Sequence, residues 1–336
     1  MMNSALPRPD AERRAYFAGY FDAEGTICIA PRNKGMTWGA QITFGQTTPS
    51  VLHALQATYG GDLYAVKRQR SNWKPQTRWV LSRFGAIACF LDDIYPFLGE
   101  KREQVRIFLE RFSSRMLSRD AWKLHADLTA LKEVELIEKE LPVEARSSAK
   151  RSKRCSMPGC HRLHRARGLC ANCYQRANYN GELKDRRGKH ETRVFHRDAI
   201  PSTEIAYFAG YFDGDGCLVL RKTHKTWNLV ISFNQTRSEA LLRLHKVYGG
   251  SLKFRPQQTL RRHQLAWRLY QRERVMQFLR DIEPFIIEKR RDVALIFTRY
   301  VPGMAVHDGT KLCEELQRDR PDRTARRSVG AVGADS

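Results

Sequence analysis

One fourteen-residue stretch occurs twice in this chain. Tyr16 to Ile29 reads YFAGYFDAEGTICI and Tyr207 to Leu220 reads YFAGYFDGDGCLVL, 191 positions apart. A repeat of this quality makes a duplicated unit the frame for everything else. Each Y-F-A-G-Y-F run is unbroken and predicts a helix, entered from polar residues at Asp10 and Glu12 in one copy and Ser202 to Glu204 in the other. Gly19 and Gly210 fall inside these helices, where glycine costs about 1 kcal/mol relative to alanine. That cost points to close backbone approach, most simply of one copy against the other. Asp22 and Glu24, and in the second copy Asp213 and Asp215, then sit at the C-terminal helix ends, where the dipole disfavours anions. Packed side by side, the helices would also crowd their acids near a pseudo-twofold axis. Such crowding calls for a cation, and carboxylate oxygens suit a hard one such as Mg²⁺.

The segments F-A-G-Y-F-D-A-E-G and F-A-G-Y-F-D-G-D-G resemble the signature of the LAGLIDADG homing endonucleases, in the form that carries both motifs on one chain. The resemblance implies an α+β fold: two pseudo-symmetric αββαββα halves whose antiparallel sheets form a DNA-binding saddle, with the motif helices at their interface. It implies that the second acid of each motif, Glu24 and Asp215, holds the catalytic Mg²⁺ or Mn²⁺ ions. The family's water-ordering glutamine matches Gln46 (T-F-G-Q-T) and Gln235 (S-F-N-Q-T), and its lysine matches Lys101 (P-F-L-G-E-K) and Lys289 (P-F-I-I-E-K). Glutamine and lysine are poor core residues, so their internal repetition favours a functional reading over a packing one. An ordinary apolar helix ending in acids would account for one copy, not for two. Ala-Glu-Gly against Gly-Asp-Gly makes the pocket slightly asymmetric.

Composition narrows the partner. With 336 residues the chain has room for two or three domains, and a net charge of +23 calls for a polyanion. The basic residues are spread along the chain and no apolar run approaches the roughly 20 residues a bilayer needs, so nucleic acid fits better than a membrane. The absence of an N-terminal apolar h-region leads us to expect a soluble intracellular protein. Cys28, Cys89, Cys217 and Cys313 are scattered and read as small core residues, while four others are clustered.

The repeat extends beyond the signature. After each motif helix come two alternating strands, a helix ending at Tyr59-Gly60-Gly61 or Tyr248-Gly249-Gly250, two more strands carrying Trp79 or Trp267, and a helix near Gly85 to Ile94 or Arg274 to Ile282. A last helix opens at Pro96 and runs through Phe112 in the first copy, and follows Pro284 in the second. Strands and loops rich in arginine and lysine suit phosphates and guanine edges. The candidates for DNA contact are Arg32, Lys34, Lys67, Arg68, Arg70 and Lys74 in the first half, and Arg221, Lys222, Lys225, Lys253, Arg255, Arg261 and Arg262 in the second. The halves differ in their loops, which implies a long, non-palindromic duplex target bound by a monomer.

Between the halves, Phe112 to Leu141 reads as largely helical, with Leu124, Leu128, Leu131, Val134 and Ile137 on one face. Arg146 to Arg197 then holds fifteen Lys or Arg against three acids, about half the net charge. Inside it lies Cys155-x4-Cys160-x9-Cys170-x2-Cys173, the spacing of a structural, tetrahedral Zn²⁺ site, with His161 and His164 as alternative ligands. So small a segment would depend on the metal to fold. The chain thus divides into a first half at 12–115, a helical linker at 116–145, a basic zinc-binding module at 146–198, a second half at 203–301 and a partly disordered tail at 302–336. The expected function is site-specific double-strand DNA cleavage. The alternatives are a non-cutting DNA- or RNA-binding protein on the same scaffold, such as an intron maturase or regulator, and a structural RNA-binding protein, which would leave the acids without a purpose.

Overall fold

Alternation along the strands decides which residues the sheets bury. In the computed structural model of the chain, Ile27, Ile29, Trp38, Ala40, Ile42 and Phe44 point into the core, while Thr26, Cys28, Ala30 and Thr37 point out. The structure describes residues 8–32, 37–66, 75–113, 116–133, 136–137, 140–142, 155–163, 168–180, 199–223, 226–256, 262–302 and 304–317. They fall into two compact units, one built from the chain up to Ala145 and from Ile200 onward, the other from Arg146 to Ala199.

The first unit contains the repeat. Its first half runs α1 (Ala11–Glu24), β1 (Thr26–Arg32), β2 (Thr37–Gln46), α2 (Ser50–Tyr59), β3 (Asp62–Val66), β4 (Gln76–Leu81), α3 (Phe84–Ile94) and α4 (Arg102–Arg111), followed by α5 (Ser118–Lys132). With α6 (Ala171–Tyr179) lying in the other unit, the second half runs α7 (Ser202–Asp215), β5 (Cys217–Thr223), β6 (Thr226–Gln235), α8 (Glu239–Tyr248), β7 (Ser251–Arg255), β8 (Gln264–Leu269), α9 (Arg272–Ile282) and α10 (Arg290–Arg299), followed by α11 (Val306–Gln317). Each half has one antiparallel four-stranded sheet, in the orders β1-β2-β4-β3 and β5-β6-β8-β7. The α+β architecture with two αββαββα halves is therefore as expected.

The halves are built alike down to single contacts. Phe21, Phe44, Trp79 and Phe90 pack in edge-on and tilted contacts under the first sheet, as Phe212, Phe233, Trp267 and Phe278 do under the second. Gly60 and Gly249, at φ 73° and 68°, end α2 and α8 in the left-handed region that glycine alone enters freely. Their carbonyls accept Trp79 Nε1–H and Trp267 Nε1–H, both at 2.8 Å. One glycine turn thus serves as helix stop and as the anchor of a buried indole.

α1 and α7 pack face to face through their glycines. A methyl group at Gly19 would lie 2.0 Å from the Tyr207 carbonyl oxygen, and one at Gly210 would lie 1.9 Å from that of Tyr16. Only hydrogen fits at either place. Tyr16 and Tyr207 cross the seam, their hydroxyls donating to Asp213 at 2.6 Å and to Asp22 at 2.8 Å.

Four expectations change. The helix expected from Pro96 through Phe112 is interrupted, because Tyr95–Phe97 forms a short 3₁₀ turn and α4 starts only at Arg102. The cause is Asp22, whose carboxylate takes the backbone N–H groups of Gly99, Glu100 and Lys101 at 2.7, 3.1 and 2.8 Å and so fixes a non-helical entry. The helix expected over Phe112 to Leu141 is α5 alone, ending at Lys132; Ile137 is exposed and Val134 lies outside the described residues. Of the scattered cysteines only Cys313, half-buried, packs against the core; Cys28 and Cys89 are exposed and Cys217 is half-buried. Cys28 and Cys217 pair with Gln41 and Ser232 on the outward side of their sheets, so strand parity overrides residue type. Lastly, the stretch read as a tail holds α11, whose Leu312 and Leu316 are buried and whose Val306 carbonyl accepts Trp227 Nε1–H at 3.1 Å. Residues 318–336 lie outside the described residues.

Candidate active site

The two acids of each motif have different environments. Asp22 and Asp213 are buried, and each is an acceptor for three successive backbone N–H groups and one tyrosine of the other half. For Asp213 the amides are those of Ile287, Glu288 and Lys289, at 2.7, 3.0 and 3.0 Å. These two carboxylates are fully partnered and hold the loops that enter α4 and α10. The expected crowding of four acids reduces to two.

Glu24 and Asp215, the last residues of α1 and α7, are the remaining pair. Burial raises the carboxyl of Glu24, and the facing Asp215 raises it further; Asp215 is likewise raised by burial. Gln46 hydrogen-bonds Glu24, and Gln235 Nε2 donates to Asp215 Oδ2. Lys101 and Lys289 each act on both acids, drawing them toward the ionised form. The six residues expected at the centre are thereby brought together, each acid with its own glutamine and both with two cations.

Each lysine is tied to the backbone. Lys101 Nζ donates to the Phe21 and Gly25 carbonyls at 2.6 and 2.8 Å, and Lys289 Nζ to the Phe212 carbonyl at 2.6 Å and to that of Asp213. An ammonium at a helix C-terminus satisfies the carbonyls left without intrahelical donors and offsets the negative end of the dipole. Burial lowers the Lys101 pKa. The charge that makes room for acids at this helix end is therefore supplied by the chain itself.

Several residues here were not foreseen. Glu100 and Glu288, each beside its lysine, are raised to about 8 and about 7, burial being the larger cause in both. Glu100 accepts the Tyr211 hydroxyl at 2.9 Å, and Glu288 the Val51 N–H at 3.2 Å. Arg237 donates to the carbonyls of Glu100 and Leu131, and Lys132 Nζ to that of Ile27 at 3.1 Å. With Glu24, Lys101 and Gln104, these two cations line a cleft of about 260 Å³. A signal for Arg237 was present in the repeat, since Q-T-R at 235–237 stands where the first copy has Q-T-T at 46–48.

Of the thirteen expected DNA contacts, Lys34, Lys67, Arg68, Arg70, Lys74, Lys225 and Arg261 lie outside the described residues, as does His164. Arg32, Arg221, Lys253 and Arg255 have outward strand positions. Lys222 pairs with the buried Trp227 and so has the opposite parity, at an exposed strand end; Arg262 precedes β8 and donates to the Lys132 carbonyl. Arg78 and Arg268, missed because each adjoins a buried tryptophan, share the outward faces. Arg268 is lowered by burial and then by the like charges of Arg255 and Arg221. Clustered guanidinium groups of this kind suit an anion. Arg78 and Arg268 are not equivalent: Ala266 takes the place of the first and Val80 of the second, so the two sheets present different patterns.

In the second unit, the sulfurs of Cys155, Cys160, Cys170 and Cys173 lie within 4.8 Å of one another. The Cys160–Cys170 and Cys160–Cys173 separations are 3.7 and 3.8 Å, and a tetrahedron of sulfurs around zinc has edges of about 3.8 Å. The Cys173 amide donates to Cys170 Sγ, which falls to about 6, toward the thiolate that a metal requires. These four sulfurs could hold zinc; His161 is exposed and outside the cluster.

No family model and no curated protein matches the sequence. Solved structures share the fold. The LAGLIDADG homing endonuclease I-GzeII in complex with its DNA target superposes with a TM-score of 0.51 at 11% identity, covering 90% of this chain and 97% of that one. The LAGLIDADG meganuclease I-AabMI bound to uncleaved DNA gives 0.51 at 14% identity, covering 91% and 99%. The fold is that of the LAGLIDADG homing endonucleases. I-SmaMI bound to uncleaved DNA in the presence of calcium ions also gives 0.51, at 16% identity over 91% and 97%. In this LAGLIDADG fold the paired motif helices are α1 and α7, and Glu24 and Asp215 stand at their ends.

Proposed function

We propose that the protein is a site-specific, double-strand DNA endonuclease of the homing type, in which Glu24 and Asp215 hold divalent metal, Mg²⁺ or Mn²⁺. The observation that carries this reading is the pairing of two carboxylates across the α1–α7 seam, each raised by burial and each held by its own glutamine. Hard oxygen donors forced close together fit Mg²⁺. When bound there, such ions would lower the pKa of a water and neutralise charge on the scissile phosphate. The chain's own residues do the rest. Gln46 and Gln235 fix the carboxylate orientations, while Lys101 and Lys289 keep positive charge beside the position where phosphate charge grows. The outward arginines of the two sheets bind phosphates and read guanine, and the unequal patterns suit a long, non-palindromic site bound by one chain. Zinc held by Cys155, Cys160, Cys170 and Cys173 folds the second unit, which adds to DNA binding. Among the described residues, no helix is long and apolar enough to cross a membrane.

The test is cleavage of a randomised duplex library with Mg²⁺. Wild type should leave double-strand ends within a selected sequence, and Glu24→Gln and Asp215→Asn should each abolish cutting while still binding that sequence. Cutting that survives both substitutions removes these acids from the mechanism. Sequence-selective binding by wild type without cutting, in Mg²⁺ and in Mn²⁺, would assign the chain to the non-cutting proteins on this scaffold.

A further inference from the structure

The second unit shows more than a metal cluster. Cys155, Leu169, Cys170 and Ala177 form its small core, with Met157, Cys160, Cys173 and Tyr174 packed on it. α6 is capped at its start by Cys170, whose sulfur accepts the Cys173 amide, so the cluster sets where the helix begins. Cys173, Tyr174 and Ala177 turn toward the sulfurs. Asn172, Gln175, Arg176 and Tyr179 are all exposed, Tyr179 at 93% of its surface. Their spacing of i, i+3, i+4 and i+7 places them in one stripe on the side of the helix away from the cluster.

We propose that this stripe reads bases in the major groove of double-stranded DNA, a proposal that rests on the reading of the chain as a DNA-binding protein. Four features support it. Glutamine and arginine are the side chains that contact adenine and guanine edges through two hydrogen bonds each, and asparagine does the same for adenine. Among the described residues, none of the four side chains of the stripe makes a hydrogen bond or ion pair. The described residues of the unit, 155–163 and 168–180, include no aspartate or glutamate to repel phosphates. The surrounding segment, 146–197, carries fifteen Lys or Arg against three acids. A unit needed only as a phosphate clamp would have lysine or arginine along that stripe. Instead it carries one arginine among amide and phenol side chains, which supply geometry rather than charge. Duplex DNA is favoured over duplex RNA because the deep, narrow RNA major groove does not admit a helix.

In vitro selection with the full, zinc-loaded chain tests this. Bound duplexes drawn from a random library are sequenced for wild type and for Gln175→Ala/Arg176→Ala, with zinc content measured for both. Wild type should select a long sequence read by the two sheets and, separate from it, a short box of two to four base pairs, about as many as one such helix can reach. The double variant should keep its zinc and the long sequence but lose the preference within the box, roughly five- to a hundred-fold per base read. A wild type that selects the long sequence without a box overturns the proposal, as does a box that survives in the variant. Weaker binding of all sequences equally, with a shallower salt dependence, would show a phosphate contact and overturn it too. If wild type selects no duplex sequence, or selects single-stranded RNA in preference, the reading of the whole chain as a DNA enzyme fails as well, which distinguishes the two failures.

Discussion

Asp22 and Glu24 are two residues apart on one helix, yet they have opposite energetic roles. Asp22 accepts four hydrogen bonds in the core, so Asp22→Asn would leave buried donors facing an NH₂ group, at about 1–3 kcal/mol for each group unsatisfied. Glu24 is an unfavourable charge in the metal-free protein, raised by burial and by Asp215. Metal-free Glu24→Gln should therefore melt no lower than wild type, whereas Asp22→Asn should melt well below it; thermal unfolding of the two variants side by side checks this. Glu100 supplies a pH test. Its carboxyl is raised from 4.5 to about 8, chiefly by burial and next by Asp22. A folded-state pKa above the unfolded value means stability that is complete below the unfolded value and is lost as pH rises through the folded one. The metal-free protein should lose melting temperature between pH 5 and 8, and Glu100→Gln should flatten that loss. Parallel curves for the two proteins would show that this group does not titrate as described.

Among the elements, the α1–α7 pair decides the most. Its backbones approach so closely that the Cβ of Gly19→Ala or Gly210→Ala would collide with a carbonyl oxygen, not with a side chain able to move aside. Overpacking of a core costs about 1–3 kcal/mol, and contact with rigid backbone belongs at or above the top of that range. Urea unfolding of each single variant should show this loss, and the double variant should separate the halves enough to abolish DNA cutting. Because Tyr16 and Tyr207 hydrogen-bond across the seam, the helices are also fixed in register. That register sets Glu24 beside Asp215, so packing and the proposed metal site depend on the same two glycines.

For the whole molecule, the two units should differ in what keeps them folded. The first has an extensive aromatic and aliphatic core, while among the described residues of the second only Cys155, Leu169, Cys170 and Ala177 are buried together. A chelator strong enough to remove zinc should abolish amide-exchange protection across 155–180 and leave the main unfolding transition of the first unit in place. Protection that survives metal removal would mean that the four sulfurs are not what holds the second unit together. Charge acts on the same scale. Arg221 and Arg255 each repel Arg268 on the outward face of the second sheet, a cost that a polyanion would relieve.

The features set by the sequence alone are local or repeated: the motif helices and their glycines, strand alternation, the Tyr-Gly-Gly stops and the spacing of four cysteines. Each is encoded by periodicity or by a conformational demand that one residue type meets, so a linear reading finds it. The choice of hydrogen-bond partners belonged to the tertiary structure. Asp22 meets amides 77 to 79 positions away, and Arg237 reaches carbonyls 137 and 106 positions back. Nothing in the pattern around Asp22 distinguishes an acid satisfied by a distant loop from one left exposed to its neighbour. That distinction turns on where the chain returns, and it reduces four candidate carboxylates to the pair of Glu24 and Asp215.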